Sequence, residues 1–194
     1  MKFYQEIVLL PNPEVNINFL WSKVFQQIHL GLVEMKNESN QVPIGVSFPE
    51  YATGKKFSPL GSKLRLFAQE ESILLKYDLA KWLARINDYV HFAGIKLVPE
   101  KLNGYAIYRR EQHKTGKERL ARRFASRHNV GYDVALTYFS EAPKIVTTPF
   151  IRLKSLSSNN NLCLWIKKIP TDISASNAVY STYGLSSEFS LPEF

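Results

Sequence analysis

The chain has 194 residues, of which 45% are hydrophobic and 13% aromatic, so it can bury a core and is not a disordered polymer. No apolar run approaches the roughly 20 residues that span a bilayer, which argues against a membrane protein. The net charge of +8 is unevenly spread: residues 101–130 hold nine lysines and arginines against two acids, a local +7, and the remainder is close to neutral. Such an excess is the footprint of a polyanionic partner, with a solvated basic face or an anionic lipid surface as the plainer readings.

Lys2–Leu10 alternates Phe3, Ile7 and Leu9 against polar residues and stops at Pro11, which predicts a strand rather than a signal peptide. Residues 18–35 carry Leu20, Val24, Phe25, Ile28, Leu32 and Val33 at helical spacing. Strands are expected at Val42–Phe48 and Lys63–Ala68, a helix over 70–87, and a further strand at Tyr89–Val98. The order βαββαβ predicts an α+β chain opening with a ferredoxin-like domain over residues 1–97. Residues 98–194 are expected to form a C-terminal α/β lobe: an extended Gly104–Gln112, a basic helix over 117–128, an amphipathic segment at 130–139, and strands at 145–154, 162–168 and 178–185.

The basic helix carries the clearest chemistry. Thr115 and Glu118 have the spacing of a capping box, and Arg119, Arg122, Arg123 and Arg127 follow at i, i+3, i+4 and i+8 on one face. Guanidiniums crowded this way destabilise a helix unless an anion neutralises them, and their planar forks suit phosphate. Leu120 and Phe124 lie on the opposite side, toward a core. Arg110 and Gln112, two apart on an extended segment, project to one side and are the residue types that pair with guanine and adenine edges, or simply polar surface.

Catalytic residues are harder to read. His29, between Phe25 and Val33 beside an apolar stripe, reads as a half-buried packing histidine; Ser155 and Tyr183 could be an ordinary loop serine and strand tyrosine. The histidines (29, 91, 113 and 128) and the single cysteine show no metal-ligand spacing, and no clustered acids suit a two-metal nuclease. No cofactor is expected. Cys163, inside the apolar run Leu162–Ile166, is expected to be a buried core thiol, and one cysteine without a partner fits a reducing cytoplasm.

Taken together, several blocks in order resemble the CRISPR repeat-RNA endoribonucleases of subtype I-F. They are Val24-Phe25-Gln26-Gln27-Ile28-His29, Ile44-Gly45-Val46-Ser47-Phe48-Pro49, Leu60-Gly61-Ser62-Lys63-Leu64-Arg65, Glu118-Arg119-Leu120-Ala121-Arg122-Arg123 to Arg127-His128, Pro149-Phe150 with the Ser155 loop, and Tyr183-Gly184-Leu185-Ser186. The resemblance implies an enzyme that binds a repeat hairpin, cuts the precursor RNA at its base and leaves a 2′,3′-cyclic phosphate and a 5′-hydroxyl. It further implies that the protein stays on the product with the other subunits of a type I-F surveillance complex. By resemblance, His29 is the catalytic histidine, Ser155 the catalytic-loop serine and Tyr183 the active-site tyrosine. Arg110 and Gln112 match the pair that reads the bottom of the stem. Arg122, Arg123, Arg127 and His128 match the phosphate-contacting helix, with Arg119 an added contact and Ser157 and Ser158 hydroxyls of the same loop. Ser126 stands where the family's helix can carry another arginine, and Leu162 where an aromatic can stack on RNA. The alternatives are a non-catalytic hairpin-binding subunit and a general RNA-binding protein, in an immune or a transposon-linked system.

Overall fold

A computed structural model describes residues 1–54, 59–112, 117–139, 147–155, 159–175 and 178–194. Residues Met1–Glu111 and Thr148–Phe194 form one compact unit of mixed α/β structure, and Gln112–Thr147 form a second. The expected boundary near residue 97 thus falls inside the first unit.

The first unit begins with β1 (Phe3–Leu9) and α1 (Ile17–Glu34). Asn16 starts the helix by accepting the Asn18 N–H at 2.8 Å on its side chain. The apolar stripe buries Leu20, Trp21, Val24, Phe25, Ile28 and Leu32, and Gly31 lies so close to Tyr77 and Trp82 that any Cβ there would overlap both rings. Each fully buried Leu, Ile or Phe contributes about 1.5–3 kcal/mol, so this stripe fixes the helix far more firmly than its propensity does.

The expected strand over Val42–Phe48 divides into β2 (Gln41–Val42) and β3 (Gly45–Ser47). Pro43 between them has no N–H for a ladder, and the two pieces pair with different neighbours. After β4 (Lys63–Ala68), the expected long helix is α2 (Glu71–Tyr77), α3 (Leu79–Leu83) and a 3-10 turn (Ala84–Tyr89). Asp78 breaks it by taking φ 49°, a left-handed conformation that aspartate tolerates, and its side chain caps the helix that follows. The last expected strand of this half is β5 (Val90–Phe92) and β6 (Lys96–Leu97), both against β1. At the interruption Ala93 N–H donates to Glu6 O at 3.1 Å, and the nearly buried Gln5 amide donates to Ala93 O at 3.0 Å. The resulting antiparallel order is β3-β4-β1-β5.

A second sheet, ordered β11-β7-β9-β8, comprises β7 (Gly104–Glu111), β8 (Phe150–Lys154), β9 (Asn161–Thr171) and β11 (Leu191–Glu193). Its inner residues Ala106, Tyr108, Ile151, Leu153, Leu164 and Ile166 join the α1 and β3-β4-β1 residues in one hydrophobic cluster. Tyr108 ties the two sheets, its hydroxyl donating to Phe48 O at 3.1 Å while burial and Glu193 push its pKa up. Of the strand expected over 178–185, only β10 (Tyr180–Ser181) is extended, paired with β2.

The second unit holds α4 (Lys117–His128) and α5 (Tyr132–Thr137). The basic helix has the expected bounds, while Thr115 of the expected capping box lies outside the described residues. Phe124 turns toward α5, its ring 5.1 Å from Tyr138 and 5.9 Å from Phe139. No helix among the described residues is long and apolar enough to cross a membrane.

Candidate active site

The first unit brings His29, Tyr183 and Arg110 together. His29 sits one turn past Phe25 on α1, half-buried, because Ile28 beside it anchors the helix in the core. Its ring stacks on Tyr183 with centroids 4.2 Å apart and planes within 6°. Its Nδ1 lies 2.8 Å from Thr182 O. A carbonyl oxygen can only accept, so Nδ1 carries the proton and Nε2 keeps its lone pair. Burial lowers the His29 pKa from its ordinary 6.5, an effect the Thr182 hydrogen bond partly opposes. The imidazole is therefore neutral at pH 7, with one defined nitrogen able to take a proton.

Tyr183 owes its place to a tight turn. Gly184 N–H donates to Ser181 O at 2.7 Å, Ser181 N–H to Leu185 O at 2.8 Å and Val46 N–H to Gly184 O at 2.8 Å. Gly184 has φ +69°, and a Cβ there would run into the Val46 side chain, so only glycine fits on both counts. The turn is thereby pinned to β3, and it presents the Thr182 carbonyl and the Tyr183 ring to His29 together. On the other flank, the exposed Arg110 at the end of β7 holds its guanidinium 5.8 Å from the Tyr183 ring centroid. A cation there can meet a phosphate while resting on the ring.

Ser155 lies just past β8, half-buried, with its N–H donating to Asn160 O at 2.9 Å and closing the β8–β9 loop. The strand end is tied to the histidine's helix, since Lys154 N–H donates to Gln26 Oε1 at 3.3 Å. Ser157 and Ser158 lie outside the described residues. Gln112, exposed, begins the second unit. In that unit Arg119, Arg122, Arg123, Arg127 and His128 are all exposed, and Arg122 makes a 3.4 Å bond to Glu118 O of its own helix. His128 packs on Phe124, centroids 4.3 Å apart. Among the described residues no carboxylate pairs with the four arginines.

The expectation for Cys163 is corrected: it is exposed. Leu164 and Ile166 point into the core, and strand alternation then turns Cys163 outward despite its apolar neighbours. Among the described residues no three His, Cys, Asp or Glu side chains lie where they could share a metal ion. Sequence reasoning missed Thr182 and Gln26. Neither side-chain type signals its role, since Thr182 acts through its carbonyl, whereas the Tyr-Gly pair at 183–184 carries a readable turn signal.

The chain is similar to known proteins over its whole length. The sequence model of the family described as "CRISPR-associated protein (Cas_Csy4)" matches residues 4–194. The chain is 31% identical over 196 residues to the "CRISPR-associated endonuclease Cas6/Csy4" of Pseudomonas aeruginosa (strain UCBPP-PA14), with all of each chain covered. It is 29% identical over 195 residues, again covering both chains fully, to the protein of the same name from Escherichia coli (strain UTI89 / UPEC). A solved structure titled "Characterization of a Cas6-related gene from Pyrococcus furiosus" aligns over 99% of this chain and 98% of its own at 10% identity, with a TM-score of 0.35, a likeness too loose to assign function.

Proposed function

The chain belongs to the Cas_Csy4 family of CRISPR-associated proteins, and on that premise we propose that it is an endoribonuclease that binds a CRISPR repeat hairpin and cuts the precursor RNA at its base. The observation that carries this reading is the held His29, with Nδ1 on Thr182 O at 2.8 Å and its face on Tyr183. In the reaction we propose, Nε2 takes the proton of the 2′-hydroxyl beside the scissile phosphate, and that oxygen attacks phosphorus in line. The P–O5′ bond breaks, leaving a 2′,3′-cyclic phosphate and a 5′-hydroxyl whose proton comes from water. A positioned base of this kind is worth roughly 10²–10⁴ in rate, and the route needs no metal.

Ser155 orients the 2′-hydroxyl, Tyr183 fixes the imidazole plane, and Arg110 with Gln112 reads the lower stem. Arg119, Arg122, Arg123, Arg127 and His128 hold phosphates, with Ser157 and Ser158 adding hydroxyls from the Ser155 loop. The strand order β3-β4-β1-β5, with α1 after β1 and α2 and α3 after β4, supports a ferredoxin-like domain over residues 1–97. Residues 98–194 are then the RNA-binding part built around α4. The enzyme works in the cytoplasm and keeps its product within a surveillance complex.

The test is to express the chain with its host's RNA, purify it in EDTA, and sequence the co-purifying RNA with mapping of its ends. One hairpin species with a 3′ cyclic phosphate is expected, and His29→Ala should bring down uncut precursor. A heterogeneous pool without a common end would leave only an RNA-binding protein. Cutting of a hairpin with a 2′-deoxy nucleotide at the scissile position would refute the 2′-hydroxyl mechanism.

A further inference from the structure

The sheet that lines the core with Leu153, Leu164 and Ile166 has a second face that the proposed reaction does not use. On β8 it presents Phe150, Arg152 and Lys154, all exposed. Across from them on β9 stand Trp165, Cys163 and Asn161, paired Phe150↔Trp165, Arg152↔Cys163 and Lys154↔Asn161. Phe150 and Trp165 form a ring pair 4.5 Å apart at 47°, and the Arg152 guanidinium lies 5.7 Å from the Phe150 ring centroid. One strand further, Arg109 stands opposite Lys167. Like charges placed so are destabilising, and the nearby Glu111 is already engaged by Lys167 at 3.6 Å and by the Thr148 hydroxyl at 2.8 Å. The face therefore combines aromatic surface with excess positive charge, and it runs about 17 Å from Phe150 up to Ser155.

We propose that this outer face of β8 and β9 binds single-stranded RNA that flanks the hairpin, so that the strand passing the Ser155 loop continues across the sheet. A flat aromatic surface can stack only on a base released from a duplex, and neighbouring cations track the backbone of the same strand. This rests on the RNA-processing reading above and extends it from the hairpin to its flanks. The single cysteine, exposed in the middle of the face, serves as a reporter without any substitution.

The experiment uses the co-purifying hairpin, synthesised with a 2′-deoxy nucleotide at the cut position and with or without its single-stranded flanks. Flanked RNA should slow maleimide modification of Cys163, and the bare hairpin should not. Phe150→Ala and the double variant Arg152→Glu, Lys154→Glu should each weaken binding of flanked RNA roughly tenfold while leaving bare-hairpin affinity unchanged. Equal Cys163 reactivity with both RNAs, or equal loss of affinity for both, would overturn the proposal and leave the face for a protein subunit. Failure of the wild-type protein to bind the bare hairpin would instead sink the hairpin-processing reading itself.

Discussion

α1 reaches His29 with seven of its residues buried, and the turn that meets the histidine is locked to β3 by a glycine with no room for a side chain. α4 buries Ala121 alone and spreads its arginines into solvent. The difference suits the roles proposed for the two regions. A proton transfer depends on one nitrogen within tenths of an ångström, so its support must be rigid. Phosphate attraction falls off slowly with distance and tolerates loosely held side chains. Substitutions should therefore separate the regions: changes around His29 alter turnover with binding intact, and changes on α4 alter binding with turnover intact.

The largest effect expected is at His29. His29→Ala should lower the single-turnover cleavage rate by about 10²–10⁴ while affinity for the 2′-deoxy hairpin holds. The same histidine sets the pH response. Its pKa lies below 6.5, so the neutral base persists through neutrality and the rate should stay flat down to that value, then fall with acid. Stability follows the same sign: the neutral, half-buried ring favours the folded state above pH 6.5, and that contribution is lost as pH drops through the lowered folded-state pKa. A rate that rises with acid would make His29 the general acid and reverse its assignment.

Gly184→Ala comes next, because it disturbs Thr182 and Tyr183 together. Left-handed strain and the clash with Val46 should cost about 1–3 kcal/mol, read as a lowered melting temperature. Turnover should fall because the Thr182 carbonyl no longer fixes the His29 tautomer. Loss of hairpin affinity with normal single-turnover rates would break the division between the two regions. On the other side, Arg123→Ala should weaken binding roughly tenfold and flatten the dependence of log affinity on log salt by about 0.7–0.9. Its rate at saturating RNA should match wild type.

How much of this was legible follows from the scale of the signals. The periodicity of Leu20 to Leu32 and the arginine spacing on α4 placed both functional helices almost to the residue, because each pattern is local and repeats. Breaks were less visible: the apolar stripe runs on across Asp78, and Pro43 marks an interruption without telling that Val42 and Val46 serve different sheets. The candidate site was hardest. His29, Tyr183 and Arg110 meet only after α1, β7 and the 181–184 turn pack, so residue types pointed to the chemistry only through the resemblance to a family. Cys163 shows the converse error, an apolar run read as burial where strand alternation decides the facing.

The smallest effect tests whether the Ser155 loop belongs to the rigid region. Gln26 precedes His29 by three residues, placing both on one side of α1, and its Oε1 receives the Lys154 N–H at 3.3 Å. That bond couples the end of β8 to the helix that carries the proposed base, which makes Gln26 a candidate positioning residue rather than a catalytic one. An exposed hydrogen bond of this kind is worth about 0.5–1.5 kcal/mol, so Gln26→Ala should lower kcat a few-fold with KM unchanged. Gln26→Glu keeps the accepting oxygen and should restore the rate, which a purely structural loss of packing would not predict. If Gln26→Ala cuts at the wild-type rate, the serine does not take its place from α1. Ser155 would then align on the RNA itself, and rigidity would end at His29 and the turn that holds it.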